Sequence, residues 1–463
     1  MIAVGPPLLV AISSTVVGTA VIWAGLFRPY ILVFLYVLIF FIFTQSTHGL
    51  MEQSRTIYGR GSGVLLFPLL IWALWSLTAI SLLRNMLLRM PVVECNLRPW
   101  IIAFFLLFLG HIGVGILLGI PARDVFWGIG YITNMGLLTL LLVRTVDSRK
   151  ALELLISSGL IVIAAREMFG IGRFLFFGGD PAGTDHKDYA GSKLTFLDIN
   201  DSLLACVAAA YCCFRLIHDY DSLSRWQKWF FAGLMLLGTA IIVFSFRRTA
   251  WGGMALVGAL IVLLAPARKR FLISVPIITV LGAGLGILYF KRLAIVWERA
   301  QIGWSALYYD LVGGHYGQAS IRALELQLGW EAFLEKPIFG QGSWGKFAAY
   351  SGFGETWHGG EGAFGYVHSG VIHVLFKSGL IGFALFAGLL IAFVIFVKRA
   401  YPLLEPRDRA VLLMGAAGVL FMVPDLLFGT PFIQMRTTQL IGFCLALPYV
   451  AYHVARQPDS KTS

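Results

Sequence analysis

Apolar runs of about 20 residues recur along nearly the whole chain, and no other feature constrains its fold as strongly. A helix of that length crosses the hydrocarbon of a bilayer while satisfying its own backbone hydrogen bonds. Only 13% of the residues are charged, against about 25% in soluble domains, and the mean hydropathy is +0.80. The 463 residues have the length of about two or three soluble domains, but the apolar runs leave no room for one. The expected fold class is an all-α polytopic membrane protein.

Candidate spans cover 8–27, 29–43, 62–83, 99–120, 125–143, 151–169, 199–216, 229–246, 250–265, 271–290, 369–397, 409–428 and 436–453. Their connections alternate in charge. Arg84, Arg89 and Arg98 follow the third; Arg144, Arg149 and Lys150 the fifth; Arg215, Arg225 and Lys228 the seventh. Arg268, Lys269 and Arg270 follow the ninth, and Lys398, Arg399, Arg407 and Arg409 the eleventh. The positive-inside bias makes these loops cytoplasmic. Loops 44–61, 121–124, 170–198, 247–249, 291–368 and 429–435 are then external. The 29–43 run is short for a full crossing. Counted as a span, it gives about thirteen spans with the N-terminus outside; re-entrant or fused, about twelve with both ends cytoplasmic.

The net charge of +12 is thus spread over short loops and is not a nucleic-acid footprint. The start has no charged leader or cleavage-like site, so the first span is expected to be retained. Of the five cysteines, none lies in the long polar loop, so no structural disulfide is expected there. The resulting organisation is a helical bundle over 1–290, an external loop over 291–368, C-terminal membrane helices over 369–455 and a cytoplasmic tail over 456–463.

The polar stretch from Ala319 to Gly382 is where chemistry is expected. Leu326, Trp330, Phe333 and Leu334 recur at helical spacing after Ile321, with Gln327, Glu331 and Glu335 on another face. This predicts an amphipathic helix over about 321–335, ended by Pro337. Gly340, Gly342 and Gly345 then predict a flexible turn, and the glycine-rich 351–365 a mobile flap.

Arg247 and Arg248 stand between two apolar runs at an external end, where the positive-inside bias does not place cations. Arginine binds phosphate bidentately and keeps its charge, so the pair suits a phosphate-bearing lipid headgroup; anchoring span ends to lipid is the plainer role. Arg322 opens the loop helix and either contacts phosphate or pairs with Glu325 at i,i+3. His368 lies where the loop re-enters the membrane. A neutral imidazole there can take a proton from a hydroxyl, or serve only as an interfacial polar residue. His373 sits about 140° further round the helix and does not share its ligand. His111, mid-span, reads as a helix–helix hydrogen bonder. Arg166, Glu167, Asp198, Asn200, Asp201 and Asp425 are ionisable or polar groups near external span ends, and Lys377 needs a partner or a watery cavity. No His/Cys cluster, P-loop, G-x-G-x-x-G opening a helix or nucleophile elbow is present, so neither metal nor cofactor is expected.

Three segments together resemble the O-antigen ligase and polymerase family of bacterial membrane glycosyltransferases. FSFRRTAWGGMALVGALIVLL is similar to that family's Ser-x-Ser-Arg step at an external span junction, with Arg248 in the arginine place and Arg247 where a small residue is usual. IRALELQLGWEAFLEKPIFGQGSWGKF is similar to its arginine, tryptophan and Pro-x-x-Gly-x-Gly run, with Arg322 in the arginine place. HSGVIHVLFKSGLIG matches its histidine, small polar residue and Gly-x-x-Gly, at His368, Ser369, Gly379 and Gly382. LDINDSLLA resembles an Asn-containing span entry, with Asn200 in that place. The resemblance covers about residues 195–385.

It implies a GT-C-like fold in the bacterial inner (cytoplasmic) membrane, with the active site facing the periplasm. It also implies an undecaprenyl-diphosphate-linked glycan donor, a lipid or glycan acceptor, and metal-independent, inverting transfer. Arg248 and Arg322 would stabilise the diphosphate leaving group, His368 would be the base, and Arg247, Asn200 and Ser369 would bind substrate. A transporter or flippase of a lipid-linked glycan is the other reading. It predicts cations along an intramembrane path and inverted repeats with broken helices; no repeat is present, and the cations gather at one external face. A purely structural protein would leave both arginine sites and His368 without a reason.

Overall fold

The structure, a computed structural model, describes residues 27–43, 69–89, 93–177, 198–245, 247–267, 270, 282, 318–347, 365–429 and 431–457. The first candidate span, the 271–290 span and the 351–364 glycine-rich stretch lie outside the described residues, apart from Phe27 and Gly282. Among the described residues every regular element is a helix: α1 (Pro29–Ile42), α2 (Leu69–Leu87), α3 (Arg98–Leu117), α4 (Ala122–Thr145), α5 (Arg149–Phe177), α6 (Ile199–His218), α7 (Arg225–Phe244), α8 (Arg248–Leu264), α9 (Gln318–Glu335), α10 (Gly370–Ala400), α11 (Pro406–Phe421), α12 (Val423–Phe428) and α13 (Met435–Arg456), with three short 3₁₀ turns. Among the described residues, eight helices are long and apolar enough to cross a membrane. The protein is an all-α, multi-pass membrane protein.

Burial sorts the helices. The apolar window of α13 is 83% buried, that of α10 22%. Thus α13 and α6 are enclosed, while α2, α3, α7 and α10 turn most of their surface outward, as lipid-facing helices do. α4 is also enclosed, and its polar groups are matched: Trp75 Nε1 donates to Asn134 Oδ1 at 2.8 Å, and Thr139 Oγ1 to the Gly442 carbonyl at 3.1 Å. Small residues allow the closest approaches. A Cβ on Gly442 would sit 2.6 Å from the Met135 carbonyl oxygen, where α13 lies on α4.

Loops grouped by charge meet in space. At the basic end, Asn96 Nδ2 donates to the Ala392 carbonyl at 3.0 Å, Arg407 pairs with Glu153 at 2.7 Å, and Arg149 pairs with buried Asp408. At the opposite end, Lys346 reaches Asp124 at 3.4 Å and Arg436 reaches Asp198 at 3.0 Å. All five cysteines are free.

Two expected spans are interrupted. The last turn of α11 gives way at Met422, and α12 starts afresh at Val423. α10 breaks at Gly379, whose φ of 64° and ψ of −164° are open to glycine. The break lies roughly 14 Å along the helix and frees backbone groups that cannot stay bare in a membrane. The chain after α9 fills it. Leu380 N–H donates to the Pro337 carbonyl at 2.8 Å, Ile381 N–H to the Ile338 carbonyl at 3.2 Å, and Gln341 N–H to the Phe376 carbonyl at 2.8 Å. The Gly340–Gly345 segment, expected to be a flexible turn, is therefore a fitted wedge. Gly340 (φ 71°) has no room for a side chain, since a Cβ would lie 2.6 Å from the Ser378 and Gly379 nitrogens.

The wedge is gripped from both sides. Ser343 N–H donates to His111 Nδ1 at 2.9 Å, and its hydroxyl lies between the Val125 carbonyl and the Ile129 N–H. His111 thus bonds a loop backbone rather than another helix. Lys377 Nζ donates to the Gly345 carbonyl at 2.6 Å, which supplies the partner its burial requires. Substituting Gly379→Ala adds a Cβ that overlaps the Ile338 carbonyl oxygen in a glycine-only conformation; a loss of about 3 kcal/mol is expected. Gly119→Ala has a similar φ of 68° but open space around it and should lose only about 1 kcal/mol. Thermal unfolding of the two variants side by side checks the difference.

Candidate active site

α9 runs from Gln318 to Glu335, three residues longer at its start than the expected helix. Its packed face is also rotated from the expected one. Glu325, Ala332 and Phe333 are buried, whereas Trp330 and Leu334 are exposed. Gly329 lets the helix lie close on the start of α10; a Cβ there would approach Val367 at 2.7 Å and Ile372 at 3.2 Å. Val367, Phe347, Phe376 and Ala332 make a small core beneath this contact.

The contact sets Glu325 against His368. The His368 backbone N–H donates to Glu325 Oε1 at 2.8 Å, and the ring Nδ1 lies 2.7 Å from Glu325 Oε2. A carboxylate only accepts, so this pairing assigns the ring proton to Nδ1 and leaves Nε2 as the nitrogen that can take a proton. Tyr366 packs edge-on to the imidazole at 5.6 Å. Burial first, then the neighbouring Glu325, pushes the Tyr366 phenol up, so it remains neutral. Ser369 caps α10, accepting from the Ile372 N–H at 3.4 Å.

A second polar cluster lies at the same end of the bundle. Asp198 and Asp201 form a reciprocal capping box at the start of α6. Arg436, fully buried at the start of α13, donates to Asp198 at 3.0 Å and to Asp201 at 2.8 Å. Arg166 from α5 approaches Asp201 at 3.3 Å. Asn200 is buried here, with its amide nitrogen 3.3 Å from both Asp198 and Gln434. Glu167 is buried as well, beside the cluster.

The short helix α12 joins the starts of α8 and α10. Gly252, one turn into α8, faces Pro424 at 3.1 Å, and Gly370, the first residue of α10, faces Leu426 at 2.7 Å, measured from a Cβ built on each glycine. Arg247 is the N-cap of α8 and Arg248 its first residue; no side chain caps this helix. Arg322 lies on α9, three positions before Glu325. The side chains of Arg248 and Arg322 lie outside the described residues. The structure thus brings His368 and Ser369 together directly. It puts Arg322 on the helix that holds His368, sets Arg247 and Arg248 across α12, and places Asn200 within the ion cluster.

Residues 233–387 match the family model described as O-antigen ligase. Over these residues the chain is similar to the O-antigen ligase family. No curated protein matches the chain. The matched segment runs from α7 to just beyond the break in α10, so it contains both arginine positions, Glu325, the wedge and His368. The wedge and the break coincide with the Pro-x-x-Gly-x-Gly and Gly-x-x-Gly motifs. Gly340 and Gly379 are required by the backbone junction between them.

Two residues in or near the matched segment were not legible as site residues. Glu325 reads from sequence only as an i,i+3 partner for Arg322. Arg436 carries the same signal as Arg247 and Arg248, a cation at an external span end against the charge bias, but lies outside every motif. Among the described residues, no three His, Cys, Asp or Glu side chains group as metal ligands. Arg436→Met takes the arginine from half-buried Asp198 and leaves buried Asp201 with Arg166 alone, and removing one side of a buried pair costs about 3–5 kcal/mol. A fall in the unfolding temperature of the purified protein is expected, larger than for Arg407→Met, whose pair with Glu153 is half exposed.

Proposed function

We propose that this protein is a membrane glycosyltransferase of bacterial surface polysaccharide synthesis, of the O-antigen ligase or polymerase type. The donor would be a glycan on undecaprenyl diphosphate, and the acceptor a hydroxyl of a lipid or glycan on the periplasmic side of the inner membrane. The His368–Glu325 pair carries this reading: an imidazole at a membrane re-entry point, fixed in one tautomer by a buried carboxylate.

In the proposed step, His368 Nε2 accepts the proton of the acceptor hydroxyl as its oxygen forms a bond to the anomeric carbon. The bond from that carbon to the diphosphate oxygen breaks on the opposite face, inverting the centre, and undecaprenyl diphosphate leaves. Glu325 steadies the imidazolium that forms, in the manner of a buried orienting carboxylate. Arg248 and Arg322, with Arg247 beside them, meet the charge that develops on the diphosphate. The uncapped start of α8 adds the positive end of a helix dipole at the same place. Asn200 and Ser369 bind substrate in this reading only through the structural clusters that already hold them.

Broken helices are also a transporter device, but the break at Gly379 is closed by wedge backbone rather than opened onto a path. The test is transfer of a glycan from a diphosphate-linked polyprenyl donor by the purified protein in EDTA. His368→Ala is expected to lose about a hundredfold or more, as for removal of a general base. Arg322→Ala and Arg248→Ala should lose about a hundredfold or more, as for removal of a transition-state charge partner. Glu325→Gln keeps the shape and removes the charge, and should lower kcat about tenfold while leaving KM nearly unchanged. Absence of product with every acceptor, alongside movement of lipid-linked glycan that survives His368→Ala, would overturn the enzyme in favour of a transporter.

A further inference from the structure

At the basic end, far from His368, a cavity of about 270 Å³ opens between α5, α6, α7 and α11. Its mouth carries Arg149, Arg215 and Arg407, against the carboxylates of Glu153 and Asp408. Arg149 is fully engaged by Asp408 in a two-point pair. The Arg407–Glu153 pair is nearly half exposed on both sides; pairs of that kind hold weakly and exchange readily for another anion. Arg215 is more than nine-tenths buried, with Nη atoms on Tyr211 and Asp219 at 2.9 Å. Its Nε–H, however, has no acceptor among the described residues. A buried, charged donor left unmatched is costly and calls for an anion.

Below the mouth the cavity is apolar. It follows α5 from Arg149 to Ile161, about 18 Å of helix, and Ile161 opens onto the lipid-facing surface at 60% exposure. Trp226 and Trp229, on adjacent turns of α7, are largely exposed beside the mouth, as in the aromatic belt at a membrane–water boundary. A cationic head at interface depth continuous with an apolar, side-open groove fits one amphiphile with a phosphate at one end.

We propose that this groove holds one anionic phospholipid of the leaflet at the basic end. Its phosphate sits between Arg215 and Arg407, and an acyl chain lies along the apolar wall of α5. The site stands apart from the glycosyl-transfer reading and needs only that the chain spans a membrane.

The test uses full-length protein in non-ionic detergent, titrated separately with phosphatidylglycerol, phosphatidylcholine and inorganic phosphate. Native mass spectrometry and thermal unfolding are the readouts. One phosphatidylglycerol retained per chain and an unfolding temperature raised by a few degrees are expected, with neither effect from phosphatidylcholine or phosphate. Gln227→Glu keeps the cap on Ser224, because a carboxylate accepts the same N–H, yet adds a negative charge at the mouth; phosphatidylglycerol affinity should fall about tenfold. Ser157→Trp fills the apolar wall and should do the same, with the lipid-free unfolding temperature unchanged in both. Equal binding of the two lipids overturns the proposal, as does an equal shift from phosphate alone, which would mean a simple anion site. Unchanged phosphatidylglycerol affinity in both variants also overturns it.

Discussion

A helix broken inside a membrane must have its backbone groups satisfied by protein, and the arrangement at Gly379 follows from that requirement. The Pro337–Gln341 strand of chain supplies two acceptors and one donor to the gap in α10, replacing the ladder lost there. The exchange does more than repair a helix. Because the wedge follows α9 directly, seating it in α10 also lays α9 along residues 367–372. Glu325 then meets His368 across the α9–α10 contact. The Glu325–His368 pair is therefore held by backbone hydrogen bonds about a dozen residues away from its carboxylate.

The buried ion cluster makes the second framework. Arg436 reaches Asp198, Asp201 and, through Nε, the Phe40 carbonyl at 2.8 Å. One side chain thereby ties α13 to the starts of α6 and the end of α1. Such a cluster gains little net stability over an apolar equivalent, because desolvating the charges is expensive. Its contacts tie these helix ends together, because Arg436 meets Asp198, Asp201 and the Phe40 carbonyl at once. Helix ends are where the polar residues of this end of the bundle converge, and α12 spans the space between α8 and α10 within that frame.

The two ends of the bundle use charge differently. At the His368 end, Arg436 and Arg166 pair with the carboxylates at the start of α6, and Arg247 and Arg248 stand at the start of α8. At the other end, arginines mark the membrane boundary, cross-link α5 to α11 and line a groove open to lipid. Both patterns follow from arginine's permanent charge and its geometry for carboxylate and phosphate.

The sequence by itself determined the fold class, the approximate positions of the described helices, the grouping of loops by charge and the motifs that resemble the O-antigen ligases. Those are local properties, since apolar length, charge bias and residue spacing act along the chain. It pointed to His368 and to helix α9 for the same reason. The tertiary structure alone decided that the glycines after Pro337 form a wedge and not a flexible turn, because their partners at Phe376, Leu380 and Ile381 are some forty residues on. It also decided that Glu325 serves His368, that His111 and Lys377 satisfy loop backbone, and that Arg436 is the hinge of a buried ion cluster. A hydrogen bond between distant segments leaves no periodicity to read, and a charge acquires its role from what it faces once the helices have packed.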